Sequence, residues 1–240
     1  MIAPIAAAGP SAAWYLTRST GAVSLLLLTL VIVLGVIDVR RISTPRWPRF
    51  VVDSLHRNAA LLVVSFLVVH ILTAVLDSFT KISLTDAIVP FAGSYRPFWL
   101  GLGALAFDLL LAVTITSMLR QRIGHRTWRV THWLSYASWP IALVHGLGTG
   151  SDTKGTWMLA LELGCLAAVF AAVAFRVVGA WSEYPDRGRL TIGGGALFGV
   201  FLAVWLPTGP LGSEWARRSG TPSPLLSHST HHPKPGETSK

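Results

Sequence analysis

The chain has 240 residues, of which 52% are hydrophobic and only 13% are charged. Soluble domains carry about 25% charged residues, so these values exclude a water-soluble globule and favour one membrane-embedded domain. The net charge of +9 does not indicate nucleic-acid binding, because the basic residues lie between apolar segments, where membrane topology accounts for them.

Six apolar segments are long enough to cross a bilayer, whose core of ~30 Å requires ~20 mostly apolar helical residues. In chain order, they are Trp14–Ile37, Leu55–Asp77, Phe98–Leu119, Val130–Leu147, Thr156–Val178 and Leu190–Pro207. They predict an all-α, polytopic bundle of about six transmembrane helices. A short N-terminal segment (1–13) precedes this domain (14–207), and a disordered tail rich in Pro, Ser and His follows it (208–240).

The basic residues are distributed unevenly among the connections between these spans. Twelve Lys and Arg residues lie in or beside the odd-numbered connections, and three lie in the even-numbered ones. The first group is Arg40, Arg41, Arg46, Arg49, Arg57, Arg120, Arg122, Arg126, Arg129, Arg176, Arg187 and Arg189, and the second is Lys81, Arg96 and Lys154. Because basic loops stay on the cytoplasmic side, we expect a multi-pass inner (plasma) membrane protein with both termini outside.

Four histidines lie in two of the spans, His56 and His70 in the second and His132 and His145 in the fourth. Their spacings of 14 and 13 residues correspond to ~21 and ~20 Å along a helix. In parallel helices, His56 and His132 can therefore share one depth, and His70 and His145 another. Neutral imidazole binds haem iron strongly, and two imidazoles fill both axial positions. We predict two b-type haems between these helices, with His56 and His132 on the inner iron and His70 and His145 on the outer iron.

The angular phase of the two pairs differs. On an ideal helix His56 and His70 are only ~40° apart, whereas His132 and His145 are ~140° apart. Pro140 lies between the latter two, and a proline disturbs the helix around it. We hypothesise that this irregularity turns both imidazoles towards one cleft. The alternative is that the four histidines are hydrogen-bonded core residues of a haem-free membrane scaffold or transporter component.

The sequence resembles the ferric-reductase-like transmembrane domain, the haem module of ferric reductases and NADPH oxidases, in the form of a bacterial stand-alone member. The resemblance covers roughly Trp14 to Val178 and is carried by the two histidine spacings. It is also carried by WRVTHWLSYASWPIALVHG from Trp128 and WYLTRSTGAVSLLLLTL from Trp14. It implies the same haem pairing, and an arginine, here Arg18, that faces a propionate of the outer haem. Snorkelling to the interface is the alternative for Arg18.

The expected function is transmembrane electron transfer from a cytoplasmic-side donor to an extracytoplasmic acceptor such as a ferric chelate. No GxGxxG-type loop follows a strand, so FAD or FMN is expected only on a separate flavoprotein, with a quinol as the other possible donor. No catalytic residue is predicted. The alternative is a haem subunit that supplies electrons to a periplasmic partner, like the haem component of methionine sulfoxide reductase.

Three further residues inside the spans have two interpretations each, and a fourth has one. Trp139 lies between the two histidines of the fourth span, and it either separates the haems or packs in the core. Asp108 and Glu162 either form part of a proton path or hydrogen-bond to a neighbouring helix. Cys165 is the only cysteine, which excludes an internal disulfide and indicates a small packing residue.

Overall fold

The structure, a computed structural model, describes residues 11–39, 48–77, 80–150, 153–181 and 185–227. All regular secondary structure within these ranges is helical, so the predicted all-α fold class is confirmed. Five of the described helices are long and apolar enough to cross a membrane. Three basic residues of the first connection, at 40, 41 and 46, lie outside the described residues. So does the last part of the predicted tail, 228–240.

The five long helices correspond to five of the six predicted spans. They are α1 (Ala12–Val39), α2 (Arg49–Leu76), α4 (Pro97–Met118), α8 (Thr156–Ala180) and α9 (Pro185–Thr208). The shorter helices are α3 (Leu84–Ile88), α5 (Arg120–Ile123), α6 (His125–His132), α7 (Leu134–Thr149), α10 (Trp215–Arg218) and α11 (Ser223–Ser227). Because α2 begins six residues before the predicted span, His56 lies about two turns inside the helix rather than at its end.

The fourth predicted span, Val130–Leu147, is divided between α6 and α7 at Trp133. The Trp133 N–H is shared between the carbonyls of Arg129 (3.3 Å) and Val130 (3.2 Å), and the Tyr136 N–H donates to the Trp133 carbonyl at 3.1 Å, a 3₁₀-type bond. The helical irregularity therefore lies next to His132, rather than only at Pro140. With 16 residues, α7 is about 24 Å long, shorter than a bilayer core of ~30 Å, and a sixth crossing stays a prediction.

Each of the two helices that carry His70 and His145 packs on the long helix before it in the chain, α2 on α1 and α7 on α4. Helix α1 also contacts α7 and α8, and α8 contacts α9. We call the end of the bundle formed by the N-termini of α1 and α4 and the C-termini of α2 and α7 the His70 end. The opposite end, which contains α5 and α6, is the His56 end.

The buried core lies where α1, α7 and α8 meet. Leu28, Leu143 and Cys165 belong to it, as does Trp139. The indole Nε1 of Trp139 donates to Thr29 Oγ1 at 2.9 Å, and the side chain is 3% exposed. These contacts give Trp139 the packing role that was one of its two interpretations.

The described part of the predicted tail is folded, which corrects the prediction of disorder from residue 208. Residues 208–227 include α10 and α11, and the Trp215 indole Nε1 donates to the Gly148 carbonyl at 3.0 Å. The Trp215 ring also lies 5.1 Å from Trp99 and 6.0 Å from Trp205, centroid to centroid. The Gly- and Pro-rich composition of this segment predicted disorder, and the contacts of the one tryptophan in it, Trp215, could not be predicted from composition.

Leu143 tests the packing of the core. Its side chain is 1% exposed, so Leu143→Ala leaves a cavity and is expected to lower the free energy of unfolding by about 2–5 kcal/mol. Thermal unfolding in detergent measures this loss. The control Leu197→Ala, at a position that is 73% exposed, is expected to unfold like the wild type, and equal losses in both variants would contradict the core described above.

Candidate functional site

The four histidines predicted as ligands come together as two pairs, one at each end of the bundle. The ring centroids of His56 and His132 lie 6.3 Å apart with a tilt of 55° between the planes. His70 and His145 line a single cavity at the His70 end. The structure thus brings together the same two pairs of histidines that the sequence spacing predicts to lie at matching depths.

Three of the four imidazoles are hydrogen-bonded to main-chain carbonyl oxygens through Nδ1. The pairs are His56 with Val31 (3.0 Å), His70 with Thr17 (2.7 Å) and His145 with Trp99 (2.8 Å). A carbonyl oxygen only accepts hydrogen bonds, so Nδ1 carries the proton, and Nε2 of the neutral ring keeps its lone pair for a metal. Sequence reasoning missed these acceptors because they are main-chain atoms and leave no signature in residue type.

His132 is held differently. Its Nδ1 is buried and has no hydrogen-bond partner among the described residues. Instead, its ring lies 5.1 Å from the Trp128 ring, centroid to centroid. The Trp128 Nε1 in turn donates to Ser117 Oγ of α4 at 3.2 Å. A tilted ring contact, with 31° between the planes, therefore takes the place of the carbonyl contact at this histidine.

The cavity at the His70 end, which we call the His70 cavity, has a volume of about 460 Å³. Such a volume suits an organic ligand, since ligand pockets commonly measure about 300–1,000 Å³. It lies between α1, α2, α4 and α7, and most of its wall is apolar. Apolar residues on its wall include Leu25, Leu28, Val63, Leu67, Phe107 and Leu110.

The matched region of a known family coincides with this part of the chain. Residues 20–143 match the sequence profile described as ferric reductase like transmembrane component, which is just over half of the 240 residues. The chain belongs to this family. The match includes His56, His70 and His132 and ends two residues before His145. No curated protein and no solved structure matches the chain.

Two arginines of this ferric reductase-like chain line the His70 cavity. Arg18, predicted from the resemblance, lies with its guanidinium carbon 3.8 Å from the centre of the Trp14 ring. Arg96, which the sequence showed only as a loop residue, is 4% exposed. Burial lowers the pKa of Arg96, Tyr95 acts in the opposite direction, and the nearby charge of Arg18 lowers this pKa further. An anion in the cavity would offset the lowering of this pKa by burial and by Arg18.

Arg96 also ties the C-terminal segment to the cavity. Its Nε donates to Thr221 Oγ1 at 2.9 Å, and its Nη1 donates to the carbonyls of Gly148 at 3.0 Å and Thr149 at 3.1 Å. Its main-chain N–H donates to the Gly220 carbonyl at 3.0 Å. These acceptors are uncharged, so none of them neutralises the positive charge of the guanidinium beside the cavity.

Of the two acidic residues inside the spans, Glu162 lies near the site and Asp108 does not line the cavity. Glu162 is 3% exposed, and neither carboxyl oxygen has a hydrogen-bond partner among the described residues. It faces Gly146, the neighbour of His145, with Oε1 3.7 Å from where a Cβ would lie. A hydrogen bond from either acid to a neighbouring helix is not among the described contacts.

Arg96→Ala tests the attachment of the C-terminal segment in this ferric reductase-like chain. The variant loses the one side-chain bond that reaches the C-terminal segment, to Thr221, and the two bonds to Gly148 and Thr149 at the end of α7. A bond from a charged donor contributes about 1.5–3 kcal/mol, so residues 209–227 are expected to be held less tightly. Limited proteolysis in detergent should then cleave this segment faster than in the wild type. Arg217→Ala, at an exposed position of α10, is the matched control, and equal cleavage rates in the two variants would contradict the attachment.

Proposed function

We propose that this protein transfers electrons across the membrane through two bis-histidine b-type haems, one between His56 and His132 and the other between His70 and His145. Membership of the ferric reductase-like family supports transmembrane electron transfer. The observation that carries the haem assignment is the Nδ1–carbonyl contact of three histidines. It directs Nε2 to a metal and fixes the ring orientation, as the outer contacts of metal-binding histidines commonly do.

The distance between His56 and His132 supports coordination of one metal by both rings. A metal–imidazole bond is about 2.0–2.1 Å long, and the ring nitrogen lies about 1 Å from the ring centre. Two imidazoles on opposite sides of one metal therefore place their centroids about 6 Å apart. The observed separation is 6.3 Å.

The His70 cavity has the polarity that a haem requires. Its apolar wall suits the macrocycle, and Arg18 and Arg96 supply positive charge for the two propionates. Residues at its deep end, such as Leu28, Val63 and Leu110, exclude water and keep the local dielectric constant low. His70 and His145 would hold the haem iron through their Nε2 atoms.

A b-type haem supplies an iron that gains and loses one electron while both imidazoles stay bound. We propose that electrons enter at the His56 end from a separate flavoprotein or a quinol. They leave at the His70 end to an extracytoplasmic acceptor such as a ferric chelate. The exposed arginines of α5 and α6, Arg120, Arg122 and Arg126, support a cytoplasmic position for the His56 end. An inside-negative potential then favours outward transfer by up to ~2.3 kcal/mol per electron for each 100 mV crossed.

The histidine variants test the haem assignment. The purified wild type is expected to contain two b-type haems per chain. His70→Ala and His145→Ala should each lose the haem at the His70 end and retain much of the other. Reduced-minus-oxidised spectra and haem-to-protein ratios measure this, with exposed His125→Ala as the control that keeps both haems. A wild-type protein without b-type bands would contradict the proposal.

Arg18→Ala tests the propionate contact. Loss of a nearby positive charge disfavours the reduced haem, so the midpoint potential at the His70 end should fall by an amount on the order of tens of millivolts. The haem content should be preserved because both iron ligands remain. A redox titration that shows no difference from the wild type would instead favour interfacial snorkelling of Arg18.

A further inference from the structure

Three glycines lie against the three imidazoles that contact carbonyls. The distances from an added Cβ to the nearest ring atom are 3.0 Å for Gly21 and His70, 3.3 Å for Gly35 and His56, and 2.5 Å for Gly103 and His145. Each glycine follows the residue that supplies the acceptor carbonyl by four positions. The acceptor and glycine pairs are Thr17 and Gly21, Val31 and Gly35, and Trp99 and Gly103.

Helix geometry explains this spacing. In an α-helix, the carbonyl of residue i accepts the N–H of residue i+4, and the side chain of residue i+4 lies beside the same carbonyl. Thr114 shows this in α4, because its Oγ1 donates to the Leu110 carbonyl at 2.8 Å. A glycine at residue i+4 therefore leaves room for a ring from another helix to approach the second lone pair of the carbonyl.

We propose that Gly21, Gly35 and Gly103 are positioning residues of the haem sites. Each glycine leaves space beside a main-chain carbonyl, so that a ligand imidazole can donate its Nδ1–H to that carbonyl. The hydrogen bond holds the ring in the tautomer whose Nε2 is free. This inference rests on the proposed function, since it assigns the ligands that the glycines orient. It makes α1 and α4 part of the two sites, although neither helix supplies an iron ligand.

The fourth ligand lacks this arrangement for a visible reason. Gly21 and Gly35 are 14 residues apart, and the same step from Gly103 leads to Ser117. The Ser117 side chain occupies the place of a fourth glycine, and it accepts the bond from Trp128, whose ring contacts that of His132. The buried Nδ1 of His132 has no hydrogen-bond partner among the described residues. The haem at the His56 end is thus held by one carbonyl-anchored imidazole and one that is positioned by a ring.

Alanine variants of the three glycines test this role. Gly103→Ala is expected to lower the affinity for the haem at the His70 end by about 10- to 100-fold, the usual effect of disturbing the outer contacts of a metal ligand. Gly21→Ala should affect the same haem more weakly, since the contact is longer. Gly35→Ala should affect only the haem at the His56 end. Gly164→Ala, with no atom within 4 Å of its Cβ, is the control.

The readouts are the haem-to-protein ratio, the midpoint potential and the electron paramagnetic resonance spectrum of each ferric haem, with thermal unfolding measured in parallel. A wild type without haem overturns the proposed function and this inference together. If the wild type binds two haems but the Gly21 and Gly103 variants behave like the Gly164 control, only the inference fails. It also fails if the Gly21 and Gly35 variants change both haems equally. The milder contact at Gly21 keeps the test decisive if Gly103→Ala does not fold.

Two variants of Ser117 test the fourth position. Ser117→Ala removes the acceptor of the Trp128 indole but keeps the Cβ, whereas Ser117→Gly also removes the Cβ beside the Val113 carbonyl, which accepts a bond from Thr116 Oγ1 at 3.1 Å. We expect Ser117→Gly to shift the resonance spectrum and the potential of the haem at the His56 end beyond the shift in Ser117→Ala. The other haem should not change. Identical spectra in the two variants would overturn the equivalence of Ser117 with the three glycines.

Discussion

An imidazole that binds a metal through Nε2 carries a proton on Nδ1, and inside a membrane bundle that proton needs an acceptor from the protein. Water is scarce there, and the helix carbonyls are already engaged with their own N–H groups. The bundle meets this constraint with the second lone pair of three carbonyls, two on α1 and one on α4. The close packing of α2 on α1 and of α7 on α4 follows from the same requirement.

Trp99 connects the ligands to the C-terminal segment. Its carbonyl accepts the bond from His145, while its ring stacks on Trp205 at 4.9 Å and lies 5.1 Å from Trp215. Gly148 completes this contact, because a Cβ there would lie 2.3 Å from the Trp99 ring. The segment after α9 is therefore continuous with the wall of the His70 cavity, and Arg96 fastens it there through Thr221.

Hydropathy and histidine spacing predicted much of the fold and which histidines lie at the same end of the bundle, because a bilayer selects long apolar runs and a helix converts spacing directly into depth. They did not predict the interruption at Trp133, which depends on local hydrogen bonding rather than on composition. They also missed Arg96, since a lone arginine in a loop gives no sign that it folds into a cavity. The folded segment after residue 208 was not predicted, because its Gly and Pro content indicates disorder and the contacts of Trp215 are not visible in composition. The sequence analysis assigned no role to Gly21, Gly35 or Gly103, because a single glycine in an apolar helix does not show which side chain lies against it.

The division of each ligand pair between two sequence-local hairpins bears on the order of assembly. The α1–α2 hairpin is complete by Leu76 and already contains His56 and His70 with both of their acceptor carbonyls. The partner imidazoles follow only with α6 and α7, after the ribosome has made nearly as many residues again. Since domains form local contacts first during synthesis, the first hairpin can orient the His56 and His70 rings before the second hairpin is made. On the proposed function, a haem bound by both members of a pair would join the two hairpins, and cofactor supply would then be a step of membrane-protein maturation.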